Sequence, residues 1–343
     1  MQIHSILIRT TAAVAAALAL ASSALAQDRV PISIADYYTI KHVISVEGVS
    51  YWMKRATELS RGKIEFKYFP AEQMAKANSL LQAIRTGVAD GGAVCVAFTS
   101  DKMPLSSVTM LPGLTRTAHE GSLAYWKAVQ SGVLREEFSA NELVPMFAFM
   151  FPSYQFLYVG KPLHRVEEFK GRKLRTPGSS MNLMVQSLGS TPVTIPPPDA
   201  YLAFERRTVD GTFLSLVSIK SYNLQEVVKS VSVNGSFGNS PCVYAMNAKR
   251  FAALPQDVKD TLRQAGEDTV KHMAGALDGE ADQARTDLTK AGVELYSFTD
   301  AELAALNKAL LPVTDDWIKR IEARKLPARQ ALKEFNAAVS AVR

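Results

Sequence analysis

Cysteine is scarce: the 343 residues hold only Cys95 and Cys242. A scaffold built on disulfides is excluded, and two cysteines without a neighbouring histidine do not make a zinc site. Charge of one sign never accumulates, because no run of Lys or Arg exceeds two residues. Nucleic-acid binders gather their basic residues into a patch or stripe. The net charge of +6, from 39 basic and 33 acidic residues, therefore reads as a solvated surface, and no nucleic-acid partner is expected. Catalytic signatures are missing as well. The five histidines, His4, His42, His119, His164 and His272, are widely separated. None of H-E-x-x-H, G-x-S-x-G, G-x-x-x-x-G-K-[ST] or G-x-G-x-x-G occurs. Adjacent acids at Glu136-Glu137 and Asp315-Asp316 fall on helical patterns, where neighbouring side chains point apart, and read as solvated faces. The expectation is a protein that is not an enzyme and needs no metal or cofactor.

What is present is the balance of a globular protein, with 47% apolar and 21% charged residues, and a length suited to about two domains. The first 26 residues stand apart. His4 and Arg9 give a positive start, residues 10–20 form an Ala-rich apolar run, and Ala24-Leu25-Ala26 is an A-x-A site before Gln27. These are the parts of a secretory signal peptide over 1–26, cleaved after Ala26. The run is too short to span a membrane, and no Cys at the site offers a lipid anchor. The expected product is exported, soluble and periplasmic. An exported protein can oxidise its cysteines, but both lie in apolar, strand-like stretches where buried free thiols are common, which favours free thiols over a disulfide.

Residues 30–35 alternate and read as a strand. Residues 46–60 carry Val49, Trp52, Met53, Ala56 and Leu59 at helical spacing and end at Arg61-Gly62. Ile64, Phe66 and Tyr68 alternate with charged residues as a second strand. Residues 78–86 are helical, and 92–98 form a third, buried strand. Such alternation defines an α/β unit with mainly parallel pairing. A second unit follows, with strands within 144–158, 171–176, 192–195, 209–218 and 227–233. Its helices run to Leu188, capped by Ser179 or Ser180, and over 200–207, capped by Asp199. Residues 241–246 read as a strand returning to the first unit. Residues 256–291 keep a helical period and span ~50 Å at ~1.5 Å per residue, longer than one small domain, so this helix is expected to brace both lobes. Helices over 300–311 and 313–342 close the chain. The expected architecture is α/β and two-lobed, with residues 27–152 and 241–280 in lobe I and 153–240 and 281–343 in lobe II. More than one crossover between the lobes favours a hinge that closes on a ligand.

The chemistry concentrates at residues 169–178, FKGRKLRTPG. A short strand delivers Arg175 to a Pro-Gly turn and the start of a helix. Its planar guanidinium carries a donor fork that matches a carboxylate, and a helix N-terminus favours anions. By topology, residues at the carboxyl ends of strands in open α/β sheets border the ligand. Tyr38 and His42 follow the first strand, Phe98 follows the third, and Phe237 precedes the returning strand.

The 169–178 stretch resembles the Arg-bearing strand of the DctP-type solute-binding proteins of tripartite ATP-independent periplasmic (TRAP) transporters. Further resemblances follow in order: residues 52–70, LLQAIRTGVAD at 80–90, LPGL at 111–114, YLAFERRTVDG at 201–211, Met246-Asn247 and Leu254-Pro255. The resemblance implies a flytrap fold, an organic-acid ligand held by Arg175, membrane permease subunits as partners, and a monomeric receptor. A sensor component presenting its ligand to a membrane receptor is the alternative, and a periplasmic enzyme acting on a carboxylic acid a third. Many members carry a second Arg about 20 residues before the first, where this chain has Tyr154, Gln155 and Phe156. Many follow Val-Asp-Gly with Gln-Glu-Asn, where this chain has Thr212, Phe213 and Leu214. A pocket lined by Tyr154, Gln155, Phe156, Phe213 and Leu214 implies a carboxylate with an apolar or aromatic body, since unpaired hydroxyls in an apolar site are costly.

Overall fold

The computed structural model describes residues 29–343 apart from Ser179. The signal peptide, its cleavage site and the Ser179 cap lie outside the described residues. Five strands form the first sheet: β1 (Val30–Ala35), β2 (Ile64–Phe69), β3 (Gly91–Cys95), β4 (Leu143–Phe149) and, returning late in the chain, β10 (Cys242–Asn247). Their order is β2-β1-β3-β10-β4. The second sheet is built from β5 (Gln155–Tyr158), β6 (Lys173–Thr176), β7 (Thr191–Thr194), β8 (Gly211–Leu214), β9 (Ser230–Ser232) and β11 (Glu294–Tyr296). Its order is β11-β9-β5-β8-β6-β7.

Parallel pairing holds for β1 with β2 and β3, and for β6 with β7 and β8. The exceptions are β10 and β5, each antiparallel to both neighbours. These are the strands by which the chain passes from one sheet into the other with no helix between. They arrive from the end where the lobes meet, so they run against strands that helical crossovers return to the far end. The two crossing segments lie side by side: Tyr154 N–H donates to Gly238 O at 3.0 Å and Phe151 N–H to Asn239 Oδ1 at 3.1 Å.

The helix Gln256–Lys290 packs on the helices Tyr51–Leu59 and Ala118–Val129 and on β4, then on the turn Leu216–Ser218 and on β11. It braces both lobes, as its length implied. Gly266 lets it seat on the β4 backbone, because a Cβ there would collide with the Met146 carbonyl.

Several local expectations are corrected. The helix after β1 begins two residues early, with π turns over Ile44–Ser50 before the α-helix Tyr51–Leu59. β3 stops at Cys95, and Val96–Thr99 is a helical turn that carries Phe98. Asp199 precedes its helix without a side-chain cap bond. Pro312 lies inside the helix Asp300–Glu322. A proline costs such a helix a hydrogen bond, but Leu306, Leu310, Val313, Trp317 and Ile321 keep one buried stripe running through it. The closing helix Ala328–Ser340, grouped with lobe II by chain order, packs on the helices Ala118–Val129 and Gly132–Ala140 beside the first sheet. Glu137 is not solvated: it is buried and accepts the Leu105 and Ser106 amides at 2.6 and 2.8 Å. The cysteines are not free thiols, for Cys95 and Cys242 are bridged. They face each other directly across β3 and β10.

Candidate functional site

Arg175 sits on β6, two strand positions from the Pro177-Gly178 turn. Gly178 holds φ +108°, a conformation natural to glycine, and approaches the Ala97 carbonyl of the first lobe. The helix Ser180–Ser187 starts there, and Ser180 Oγ donates to Ser107 O at 3.2 Å across the cleft. The lobes are thus closed over Arg175, which is 1% exposed. Its Nε donates to Ile195 O at 2.7 Å, while Nη2 is buried without a partner. Among the described residues no carboxylate forms an ion pair with it. Burial lowers its pKa to about 10, so the guanidinium keeps its charge at neutral pH. A buried cation without a counter-ion is costly, and the arrangement suits an anion that supplies the missing charge.

Three phenols, Tyr154, Tyr222 and Tyr37, act on that charge, and Tyr38 lies against Tyr37 with ring centroids 4.0 Å apart. Tyr154 precedes β5, Tyr37 and Tyr38 follow β1, and Tyr222 lies in a 3₁₀ turn after β8. Burial pushes the Tyr154 hydroxyl up to about 12, with Ser240 and Arg175 holding it down in part. Burial raises the other three further. All four remain protonated and can donate. The rings of Tyr37 and Phe98 meet edge to face at 5.4 Å, Tyr38 and His42 lie 4.4 Å apart, and His42 and Tyr222 lie 5.5 Å apart across the lobes. His42 Nδ1 accepts the Ile44 amide at 3.1 Å, which places the ring proton on Nε2, and Nε2 is buried without a partner. Burial lowers the His42 pKa to about 3, so the ring is neutral. Ser215 Oγ, just past β8, is also buried and unpartnered.

Asp36 sets the tyrosine pair in place. Its Oδ1 accepts the Tyr38 amide at 3.0 Å, and its Oδ2 accepts the Tyr68 hydroxyl at 2.8 Å and the Tyr244 hydroxyl. Burial raises its pKa to about 6, against the opposing pull of these donors.

Of the expected site residues, Arg175, Tyr154, Tyr38, His42 and Phe98 converge. Phe213 and Phe237 do not. Arg175 pairs with Thr212, and Thr212 with Leu157, so these three share one face of the second sheet. Successive strand residues alternate, which sends Phe213 and its partner Phe156 to the other face. There Phe213 packs on Phe156 at 5.1 Å and on Phe237 at 4.9 Å. Leu214 returns to the Arg175 face and is buried. Gln155 is paired with Leu214, but its amide is spent within the lobe. It donates to Ser153 O and Gly235 O and accepts from Ser232 Oγ and Gly235 N–H.

Tyr37, Tyr222 and Ser215 were missed. The adjacent tyrosines at the end of β1 were the available signal for Tyr37. Tyr222 arrives through a loop with no motif. An open groove of about 970 Å³ runs along the outer side of the segments bearing His42 and Tyr222. It mixes Lys41, Lys220 and Lys290 with Glu47, Glu280 and Asp287, so it offers no uncompensated cation to an acid.

Two lobes closed over a buried, uncountered arginine define a solute receptor of the periplasmic-binding type. The family model for bacterial extracellular solute-binding protein, family 7, DctP, matches residues 37–320, and the chain belongs to that family. The resemblance read from Arg175 and YLAFERRTVDG is borne out. The C4-dicarboxylate-binding periplasmic protein DctP of Rhodobacter capsulatus is 25% identical over 329 residues, 93% of this chain and 95% of that one. A TRAP solute-binding protein from Rhodoferax ferrireducens, solved with copurified benzoate, matches with TM-score 0.86 at 22% identity, covering 91% of this chain and 98% of that one. A TRAP periplasmic solute-binding protein from Bordetella bronchiseptica with bound (R)- and (S)-mandelate matches at 0.83 and 20%, covering 92% of this chain and all (100%) of that one.

Proposed function

We propose that the protein captures a monocarboxylate with an aromatic body in the periplasm and hands it, unchanged, to the membrane subunits of a TRAP transporter. The observation that carries this is the Arg175 guanidinium, the one buried among the described residues, without a counter-ion among them and ringed by phenols. One cation matches one carboxylate, and a second carboxylate would meet neutral rings. The benzoate and mandelate of the structural neighbours support an aromatic body, while the dicarboxylate named for the Rhodobacter relative marks the alternative. We take Arg175 as the anchor, Tyr154 and Tyr222 as donors beside it, and Tyr37, Tyr38, His42 and Phe98 as the opposing wall. Leu214 borders the anchor on its own lobe. The receptor is read as a monomer, exported by a signal peptide cleaved after Ala26, with the chain passing between the lobes near 150–154 and 233–241 and again along the helix Gln256–Lys290.

Calorimetry with benzoate, mandelate, pyruvate, succinate and galacturonate tests the reading. An aromatic side adds ~1.5–3 kcal/mol on burial, so the aromatic acids are expected to bind ~10–100-fold more tightly than pyruvate. Tightest binding by succinate or galacturonate would refute the ligand class. Recovery of the bound acid unaltered after prolonged incubation is the expected result for a receptor, and its conversion would point to an enzyme.

A further inference from the structure

We propose that the Cys95–Cys242 bridge is a positioning element of the ligand site: it holds the Tyr37–Tyr38 pair, so that tight binding requires the closed bridge. This rests on the reading of the Arg175 pocket given above. Cys95 ends β3 and Cys242 opens β10, in direct register, with Cα atoms 4.1 Å apart. Both are buried. The Tyr38 hydroxyl lies 3.6 Å from Cys242 Sγ, and the Tyr37 hydroxyl 3.6 Å from Cys95 Sγ. Bridged sulfurs carry no proton, so any hydrogen in these contacts belongs to the phenols. Each sulfur therefore backs one hydroxyl. At the other end of the pair, Asp36 accepts the Tyr38 amide at 3.0 Å. The tyrosine wall is clamped at its backbone and at its hydroxyl tips.

The bridge is well placed for this task. β10 is the strand that enters the first lobe from the crossing, and β3 leads directly into the turn bearing Phe98. The bond thus ties a crossing segment to the wall that faces Arg175. Sites keep their geometry to ~0.5 Å only when the groups behind them are locked.

A dithiol reductant opens the bridge in two steps. One thiolate of the reductant attacks a sulfur and forms a mixed disulfide, releasing the other cysteine, which takes up a proton. The reductant's second thiolate then displaces the first cysteine, which is protonated in turn. The reductant leaves as a cyclic disulfide, two electrons poorer. Two thiols cannot occupy the places of two bonded sulfurs, so at least one presses on a tyrosine hydroxyl or draws its strand away. Binding linkage is reciprocal: if the closed bridge favours ligand, ligand favours the closed bridge.

Benzoate is the probe, dithiothreitol the reductant, and free thiols are counted by alkylation and mass spectrometry. Reduction is expected to weaken benzoate about tenfold, and saturating benzoate to slow thiol appearance about tenfold. Tyr37→Phe/Tyr38→Phe keeps both rings and the bridge but removes the contacts, so its residual affinity is expected to be indifferent to reduction. An unchanged affinity in the reduced parent overturns the proposal. So does an equal drop in the double variant, which would place the effect in overall stability. If the reduced parent unfolds, the reduction rates of the bridged proteins decide: faster thiol appearance in the double variant supports the proposal, and equal rates overturn it. Absence of benzoate binding to the bridged parent counts against the ligand class alone. The near-UV circular dichroism of the tyrosines then decides: a change on reduction that the double variant lacks supports the proposal, and no change overturns it.

Discussion

The two faces of the second sheet are built from the same three strands and do opposite work. One face carries Arg175, Thr212 and Leu157, and at its edge a guanidinium is left without a counter-ion. The other carries Phe156 and Phe213, packed with Phe169 and Phe237 into a continuous aromatic core. The first face mixes buried leucines with a charge left without a counter-ion; the second is aromatic and fully packed. A strand pleat alone separates them, and the unsatisfied hydrogen bonds and charge gather on the face where the proposed site lies.

The comparison breaks most sharply at Phe213. Phe213→Ala is expected to lower stability by ~3–5 kcal/mol through lost burial and a cavity, read by urea unfolding, while the ranking of acids by calorimetry stays the same. A changed ranking would bring Phe213 into the pocket and undo the division of faces. Arg175→Ala is the mirror case. It is expected to cost ~2–5 kcal/mol of binding, ~30-fold or more in affinity for the identified acid, with no comparable loss of stability. Arg175→Lys should rescue only in part, since an ammonium lacks the planar fork.

The opposing wall belongs to the first lobe and offers a pH test. His42 resists protonation down to about pH 3, whereas an unfolded histidine takes its proton near 6.5. It therefore costs stability as pH falls through that window, by ~1.4 kcal/mol per unit. Asp36 behaves oppositely. Its carboxyl protonates near pH 6 in the fold and near 3.8 when unfolded, so it returns stability as pH falls between those values. Where the windows overlap, the two slopes oppose each other. Asp36→Asn removes the compensation, and its unfolding free energy should fall more steeply than the parent's between pH 6 and about pH 4, by ~1.4 kcal/mol per unit. Parallel pH profiles would show that Asp36 does not titrate there. The smallest effect is expected at Tyr154→Phe, where loss of one donor beside Arg175 should weaken acid binding ~threefold to tenfold, about 0.5–1.5 kcal/mol. An unchanged affinity by calorimetry would remove Tyr154 from the anchor.

Much of this was legible along the chain, and the failures share a cause. Strands such as β1 and β2 announce themselves by alternation, and the long helix by its period. Arg175 stands out because a strand, a Pro-Gly turn and a helix start follow one another within a few residues. Phe213 was misassigned because its neighbours in sequence lie near the pocket, whereas its side chain obeys the pairing of β8 with β5 and β6. Tyr222 left no trace, since a left-handed Asn223 and two 3₁₀ turns carry it to His42. Pro312 reads as a helix stop until the buried stripe on both sides of it is seen.

Alternation and helical period along the chain carried the order of elements, while the motif resemblance carried the two-lobed family fold and pointed to Arg175 as the proposed anchor, because each rests on residues close in sequence. Only the tertiary structure decided three things. It bridged Cys95 to Cys242 across a separation of 147 residues, it turned Phe213 and Phe237 away from Arg175, and it closed two lobes over a cation with no counter-ion among the described residues. The reason is physical: local propensity acts between near neighbours, while register, facing and desolvation arise only when distant segments are packed together.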